Sequence, residues 1–213
     1  MRYHRRSFVL SMILGLMLIA LAANAQASSG PARLLKDINS TPAYERGSFP
    51  SQYHRLGSIT IFSASTSDTG FELWHTDGTQ AGTSLVKDIN SGPNGSNPGF
   101  FFELGGALYF PADDGVHGIE LWRTDGTEGG TRMVKEIRPG STASPFQSPF
   151  DTSTWLPQAV GGILYFVADD GVHGTELWRS DGTEAGTFPL GNNSVAPDAT
   201  YPVFSTAVGG YFF

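Results

Sequence analysis

The chain has 213 residues, with 20 acidic against 13 basic side chains, no cysteine, 27 glycines, 15% charged and 12% aromatic residues. Without cysteine there is no disulfide framework, and this apolar, aromatic-rich composition excludes a disordered polymer. The acidic balance also argues against nucleic acid and anionic membrane surfaces as partners, since both require basic patches.

The first element in chain order is a leader. Arg2, His4, Arg5 and Arg6 precede an apolar run from Phe8 to Ala22, and Ala23-Asn24-Ala25 follows it. A basic start, a short apolar stretch and a small-residue site predict a secretory signal peptide over 1–25. The run is short for a membrane span, and no stop-transfer charge follows it. The expected localisation is therefore export, to a secreted, periplasmic or cell-surface destination, with no membrane insertion after cleavage. The leader carries three Arg and no acid, which leaves 10 basic and 20 acidic residues and a net charge of −10.

Residues 26–213 are organised by a repeat. Glu72-Leu73-Trp74-His75-Thr76-Asp77-Gly78-Thr79 recurs from Glu120 to Thr127 and again, with Ser180 for Thr, from Glu176 to Thr183. The glutamates are 48 and then 56 residues apart, and the extra eight residues fall in the Ser/Pro-rich stretch from Ser141 to Pro157, where a loop insertion is expected. Leu34-Leu35-Lys36-Asp37-Ile38-Asn39 matches Leu85 to Asn90 and Met133 to Arg138. The units run over about 40–90, 91–138 and 139–190, with a partial unit at 191–213. In that last unit Val208-Gly209-Gly210-Tyr211-Phe212-Phe213 matches Val160 to Phe166 with one residue missing, so the fourth unit is expected to be incomplete.

One unit reads as four strands. Phe100 to Leu104 is the first, and Gly105-Gly106 makes a two-residue hairpin turn, since glycine takes φ > 0 at both positions. Ala107 to Ala112 is the second, Asp113 to Gly118 a longer turn, and Ile119 to Thr124 the third. After a turn at Asp125 to Gly130, the fourth runs from Thr131 to Ile137. Four antiparallel strands in a unit of this length, repeated with a Trp motif, predict an all-β fold: a β-propeller-like array of four-stranded blades, incomplete at about three and a half units, with a linear β-solenoid or stacked array of hairpin sheets as the alternative. A closed propeller requires about four to eight blades, so further units or pairing with another chain are expected to complete it.

The repeated octapeptide resembles the ELWxxDGT repeat family of bacterial exported and surface proteins. The resemblance covers nearly all of 26–213 in three complete copies of the motif. It implies propeller-like domains and carries no general catalytic assignment.

The candidate residues follow the repeat. Trp74, Trp122 and Trp178, each flanked by Leu in mid-strand, are expected to pack between blades rather than to offer sugar-stacking platforms. Asp77-Gly78, Asp125-Gly126 and Asp181-Gly182 are expected to lock turns, the carboxylate accepting backbone N–H groups and glycine supplying φ > 0. Asp113, Asp114, Asp169 and Asp170, with Glu120 and Glu176 nearby, are the candidates for Ca²⁺, which takes six to eight oxygens. The alternating acids and closing Glu of an EF-hand are absent, so no cofactor is assigned. His117 and His173, one per unit, supply too few ligands for a transition metal. Arg123 and Arg179 are expected to face solvent.

No G-x-S-x-G elbow, H-E-x-x-H, P-loop or dinucleotide glycine pattern occurs. The sequence therefore predicts a non-enzymatic exported domain, a binding or surface scaffold whose extracellular ligand is a glycan or a protein. The alternative is a fragment of a glycosidase-like propeller hydrolase, with its catalytic residues in the irregular insertion or beyond the repeats.

Overall fold

The computed structural model describes residues 34–40, 47–140, 144–146 and 157–191, together with the backbone of 207–208 and 211–212. The expected leader at 1–25 lies outside the described residues, as does most of the insertion. Contacts divide the chain into Met1–Leu34 and Leu35–Phe213, and every strand belongs to the second unit.

The described elements are all strands. The first sheet contains β1 (Ser51–Leu56), β2 (Ile59–Thr66), β3 (Gly70–Thr76) and β4 (Ser84–Lys87). The second contains β5 (Phe102–Leu104), β6 (Ala107–Asp113), β7 (Ile119–Thr124) and β8 (Arg132–Lys135). The third contains β9 (Gln158–Val160), β10 (Ile163–Asp169), β11 (Thr175–Ser180) and β12 (Phe188–Pro189), and the hairpin β13 (Ala207–Val208) and β14 (Tyr211–Phe212) follows. Each four-stranded sheet is an antiparallel meander in sequence order, and none closes on itself among the described residues.

The local chemistry explains these bounds. Gly105 and Gly106 sit at φ +60° and +77°, the left-handed pair that a two-residue hairpin needs, and Leu104 pairs directly with Ala107. β5 begins two residues later than the pattern predicts because Phe100 has φ +54°, outside the extended region. β8 is shorter at both ends. Thr131 turns its hydroxyl to Thr124 and to the Thr127 carbonyl, and Ile137 N donates to the Glu120 carboxylate instead of to a strand.

Alternating side chains give every sheet two apolar faces. Ile61, Leu73, Val86 and Ile89 of the first sheet pack against Leu108, Phe110, Ala112 and Trp122 of the second. From its other face the second sheet sends Ala107, Tyr109, Leu121, Val134 and Ile137 against Leu164, Phe166, Ala168 and Trp178 of the third, with Phe146 between. The tryptophan face of each sheet thus meets the leucine face of its predecessor. Trp74, Trp122 and Trp178 are only 8%, 6% and 3% exposed, and Trp122 and Trp178 lie within these inter-sheet cores.

The first sheet has no preceding sheet among the described residues, yet its tryptophan face is covered. Phe62, Ala64 and Trp74 pack with Leu85 and with Ile38 from the segment before β1. Lys36 Nζ donates to the Thr83 carbonyl at 2.5 Å, as Lys87 Nζ donates to the Thr131 carbonyl at 3.0 Å. Lys36 and Ile38 therefore stand toward the first sheet as Lys87 and Ile89 stand toward the second, in keeping with their matching sequences.

Candidate functional site

The repeated carboxylates serve the backbone in three different ways. In the Asp-Gly-Thr turn after β7, Asp125 Oδ1 accepts from Thr127 N at 2.9 Å and from the Thr127 hydroxyl at 2.6 Å. The same hydroxyl accepts from Gly130 N at 3.0 Å, and Thr131 Oγ1 donates to the Thr127 carbonyl. Asp77 and Asp181 make the same bonds in their own turns. Gly78, Gly126 and Gly182 have φ between +86° and +90°, as a locked turn requires. The Thr hydroxyl, and then the Thr N–H, hold Asp77, Asp125 and Asp181 below the usual carboxylate range. Folded-state pKa values below the unfolded ones mean that the turns contribute stability above that range and lose it as pH falls through it.

The locked unit is longer than its first three residues. A Cβ on Gly82, Gly130 or Gly186 would overlap the carboxylate of Asp77, Asp125 or Asp181 respectively. The second Gly-Thr pair, Gly130-Thr131 in the middle unit, is therefore as much a part of the turn as Asp125-Gly126. Its identical recurrence as Gly82-Thr83 and Gly186-Thr187 was the available sequence signal. Gly130→Ala is expected to cost about 1–3 kcal/mol, because the displaced carboxylate is backed by the turn's own backbone. Thermal denaturation of the variant measures it.

The glutamate of each Glu-Leu-Trp motif points inward. Glu72 accepts from Asn90 N and Ser96 N, both at 2.9 Å, and from the Ser96 hydroxyl at 2.6 Å. Glu120 accepts from Ile137 N at 2.7 Å and Arg138 N at 3.1 Å. Both are fully buried. Burial raises the Glu72 pKa against the pull of the Ser96 hydroxyl and three backbone N–H groups. Burial likewise pushes Glu120 up to about 7, against the Ile137 and Arg138 N–H groups. Sequence reading placed Glu120 and Glu176 near a cation loop, whereas the structure turns Glu120 into the connector that leaves the sheet.

The Asp-Asp-Gly-Val-His-Gly loops are self-contained. Gly115 N donates to Asp113 Oδ1 at 2.7 Å, and Val116 N and His117 N donate to Asp114 Oδ1 at 2.9 and 2.8 Å. His117 Nδ1 lies 2.7 Å from Asp114 Oδ2, and Asp169, Asp170 and His173 repeat the arrangement. Burial opposes ionisation of Asp114, but the backbone and ring N–H groups of His117 outweigh it and its pKa is lowered. The hydrogen bond to Asp114 raises the His117 pKa, and that to Asp170 raises His173. Both imidazoles are expected to titrate above the ordinary 6.5 in a ring-proton NMR titration, and Asp114→Asn returns His117 toward it. No group of three or more His, Asp or Glu side chains converges on a metal position among the described residues.

Arg123 and Arg179 depart from the expected solvent-facing role. Each is half-buried, Arg123 lying 5.9 Å over the Tyr109 ring and Arg179 5.2 Å over Phe188. The three indole Nε1 groups have no hydrogen-bond partner among the described residues, so the tryptophans act as apolar bulk.

One feature breaks the repeat. Between the first and second sheets lies a cleft of about 400 Å³, lined by residues that include Gln52, Phe71, Asn97, Phe100, Asp113 and Ile119. Its floor is tied to both sheets. Ser96 N and Oγ bond to Glu72, Asn97 N donates to the Phe71 carbonyl at 3.1 Å, and Asp113 N donates to the Ser96 carbonyl at 3.0 Å. Gln52 Oε1 accepts from Phe100 N at 3.2 Å across the opening. Gln52, Asn97 and Phe100 all have left-handed backbones, with φ of 56°, 52° and 54°. Sequence reading missed these residues because it followed what recurs, and Gln52 aligns with Phe100 and Phe71 with Ile119.

Comparison of the chain with family models, with curated proteins and with solved structures finds no match.

Proposed function

We propose that the chain is an exported β-propeller-type repeat domain, acting outside the cytoplasm as a binding or surface scaffold and not as a catalyst. The observation that carries this reading is where the repeated acids go. Glu72 and Glu120 are consumed as internal acceptors, and Asp77, Asp125 and Asp181 as turn locks. A glycosidase needs a pair of carboxyl groups facing substrate, whereas Glu72, Glu120 and the three turn aspartates are committed to the backbone, and Glu176, whose Oε1 has no partner among the described residues, is buried. The handed stacking of tryptophan face on leucine face supports blade-like succession of the units. A net charge of −10 after leader removal supports uncharged or cationic extracellular partners over nucleic acid.

The full chain, expressed in a secreting bacterial host, tests the reading. The exported protein is expected to begin at Gln26 by N-terminal sequencing and to bind extracellular polysaccharide or matrix protein without consuming it. Retention in the cytoplasm with an intact leader, or turnover of fluorogenic glycosides, would overturn it.

A further inference from the structure

We propose that the cleft between the first and second sheets binds the ring of a neutral sugar. The inference rests on the reading of the domain as an extracellular binder and names the ligand class and the place.

The volume falls at the small end of the range of about 300–1,000 Å³ typical of small-molecule sites. The lining has two chemical halves. Phe71 and Pro98 supply apolar surface on which the C–H face of a pyranose can lie, and Phe100 and Ile119, which also pack against the core between the second and third sheets, border it. Gln52 supplies its amide NH2, its oxygen being held by Phe100 N; Asn97 supplies its amide oxygen, its nitrogen donating to the Gly95 carbonyl; and Asp113 supplies the oxygen beside the one that accepts from Gly115 N, so donors and acceptors for sugar hydroxyls are both present. Among the described residues no Lys, Arg or His lines the cleft, which favours uncharged ligands over phosphorylated, sulfated or uronic-acid ones. Asp113 is the one carboxylate that lines it among the described residues, too little for a cation.

The cleft is also held ready. Glu72, Ser96 and Asp113 form a continuous chain of hydrogen bonds from one sheet to the next beneath it. Three residues without glycine's freedom hold left-handed backbones around one opening, a conformational cost that surrounding structure must carry and that clusters at ligand sites. Preorganisation of this kind lowers the ordering cost of binding. Ala112 and Asp113 recur one unit along as Ala168 and Asp169, whereas Gln52, Ser63 and Phe71 are replaced by Phe100, Pro111 and Ile119, so it is the first sheet's side of the cleft that is particular to this place in the chain.

Methyl glycosides of glucose, galactose and mannose, with glucuronic acid as the anionic comparison, are the probes, applied to the full chain by saturation-transfer NMR and titration. Gln52→Glu keeps an oxygen for Phe100 N but removes the amide donor. Asn97→Asp keeps a residue that tolerates the left-handed backbone, and Phe100→Leu removes the ring. At least one neutral methyl hexoside is expected to saturate the wild type, glucuronic acid to give no transfer, and Gln52→Glu and Asn97→Asp to weaken binding at least tenfold. Melting temperature is expected to stay close to unchanged in the two amide variants and to fall in Phe100→Leu, whose ring also packs against the core between the second and third sheets, so the amide variants decide the test. If no neutral hexoside saturates the protein, or if the bound sugar is indifferent to both amide substitutions, the cleft inference is overturned. Retained binding of polysaccharide or matrix protein in that case leaves the scaffold reading standing, while loss of all such binding ends both.

Discussion

Trp122→Ala is expected to lower the unfolding free energy by about 3–5 kcal/mol, the range for truncating a large buried aromatic. The indole is 6% exposed and stands in the core shared by two sheets, with Ile61, Leu73 and Val86 on the first and Leu108 and Phe110 on its own. Strands on both sides are fixed by their ladders, so neither sheet can close the vacancy without tilting as a body, and the cavity contribution stays large. Trp122→Phe separates bulk from polarity. The indole N–H has no partner among the described residues, so its removal costs no hydrogen bond and spares a buried unsatisfied donor. Phe is therefore expected to cost under about 1.5 kcal/mol. Urea denaturation of the two variants measures both, and an Ala cost below about 1 kcal/mol would mean that the tryptophan does not hold the sheets together.

The second large effect belongs to Glu120. Glu120→Ala leaves Ile137 N and Arg138 N buried without an acceptor, at about 1–3 kcal/mol each. A total loss of about 3–5 kcal/mol is expected, since the connector cannot reach water without unpacking Ile137, which is 2% exposed. Glu120→Gln isolates the charge. Burial pushes the Glu120 pKa to about 7 from an ordinary 4.5, so the folded protein holds this proton more tightly than the unfolded chain does. The associated stability is fully present below about pH 4.5 and is lost as pH rises through about 7, with a span on the order of 3 kcal/mol. Glutamine keeps one acceptor oxygen and sets its NH2 against the other backbone N–H, a penalty that pH does not move, so the variant is expected to be less stable than the wild type near pH 5, to gain on it by pH 8, and to show a flatter pH profile. Urea midpoints at pH 5, 6.5 and 8 give the result, and parallel profiles for the two proteins would show that the ionised carboxylate is as well solvated inside as out. The aspartate turns titrate in a separate, more acidic window, so the two effects do not overlap.

The strands were legible because each unit announces its turns. Gly105-Gly106 and Asp125-Gly126 bracket strands two and three so tightly that Ile119–Thr124 is found as predicted and β6 runs one residue past its predicted end. What the pattern concealed was direction. Glu120 reads as a surface acid beside an acidic loop, yet its partners lie 17 and 18 residues along, in a stretch with no regular structure. Alternation alone would place it on one face of β7 without saying that a connector crosses that face. The second Gly-Thr of the turn was visible as a recurrence but had no assigned role until its hydrogen atoms were seen to make room for a carboxylate. The cleft was illegible for the opposite reason. Gln52, Asn97 and Phe100 differ between units, and a reading organised by repetition discards what does not repeat.

The contrast between the ladders inside each sheet and the links between sheets has a mechanical consequence. Within a sheet the strands are joined by rows of backbone hydrogen bonds, whereas the first and second sheets share side-chain faces and such lone backbone bridges as Asp113 N to the Ser96 carbonyl. Tension along the chain therefore meets its weak planes between modules. The sheets should part from one another first, and a sheet that afterwards unzips strand by strand pays out about 48 residues, roughly 160 Å of fully drawn chain. A chain built this way behaves under tension as a serial shock absorber, yielding between sheets before any one sheet unravels.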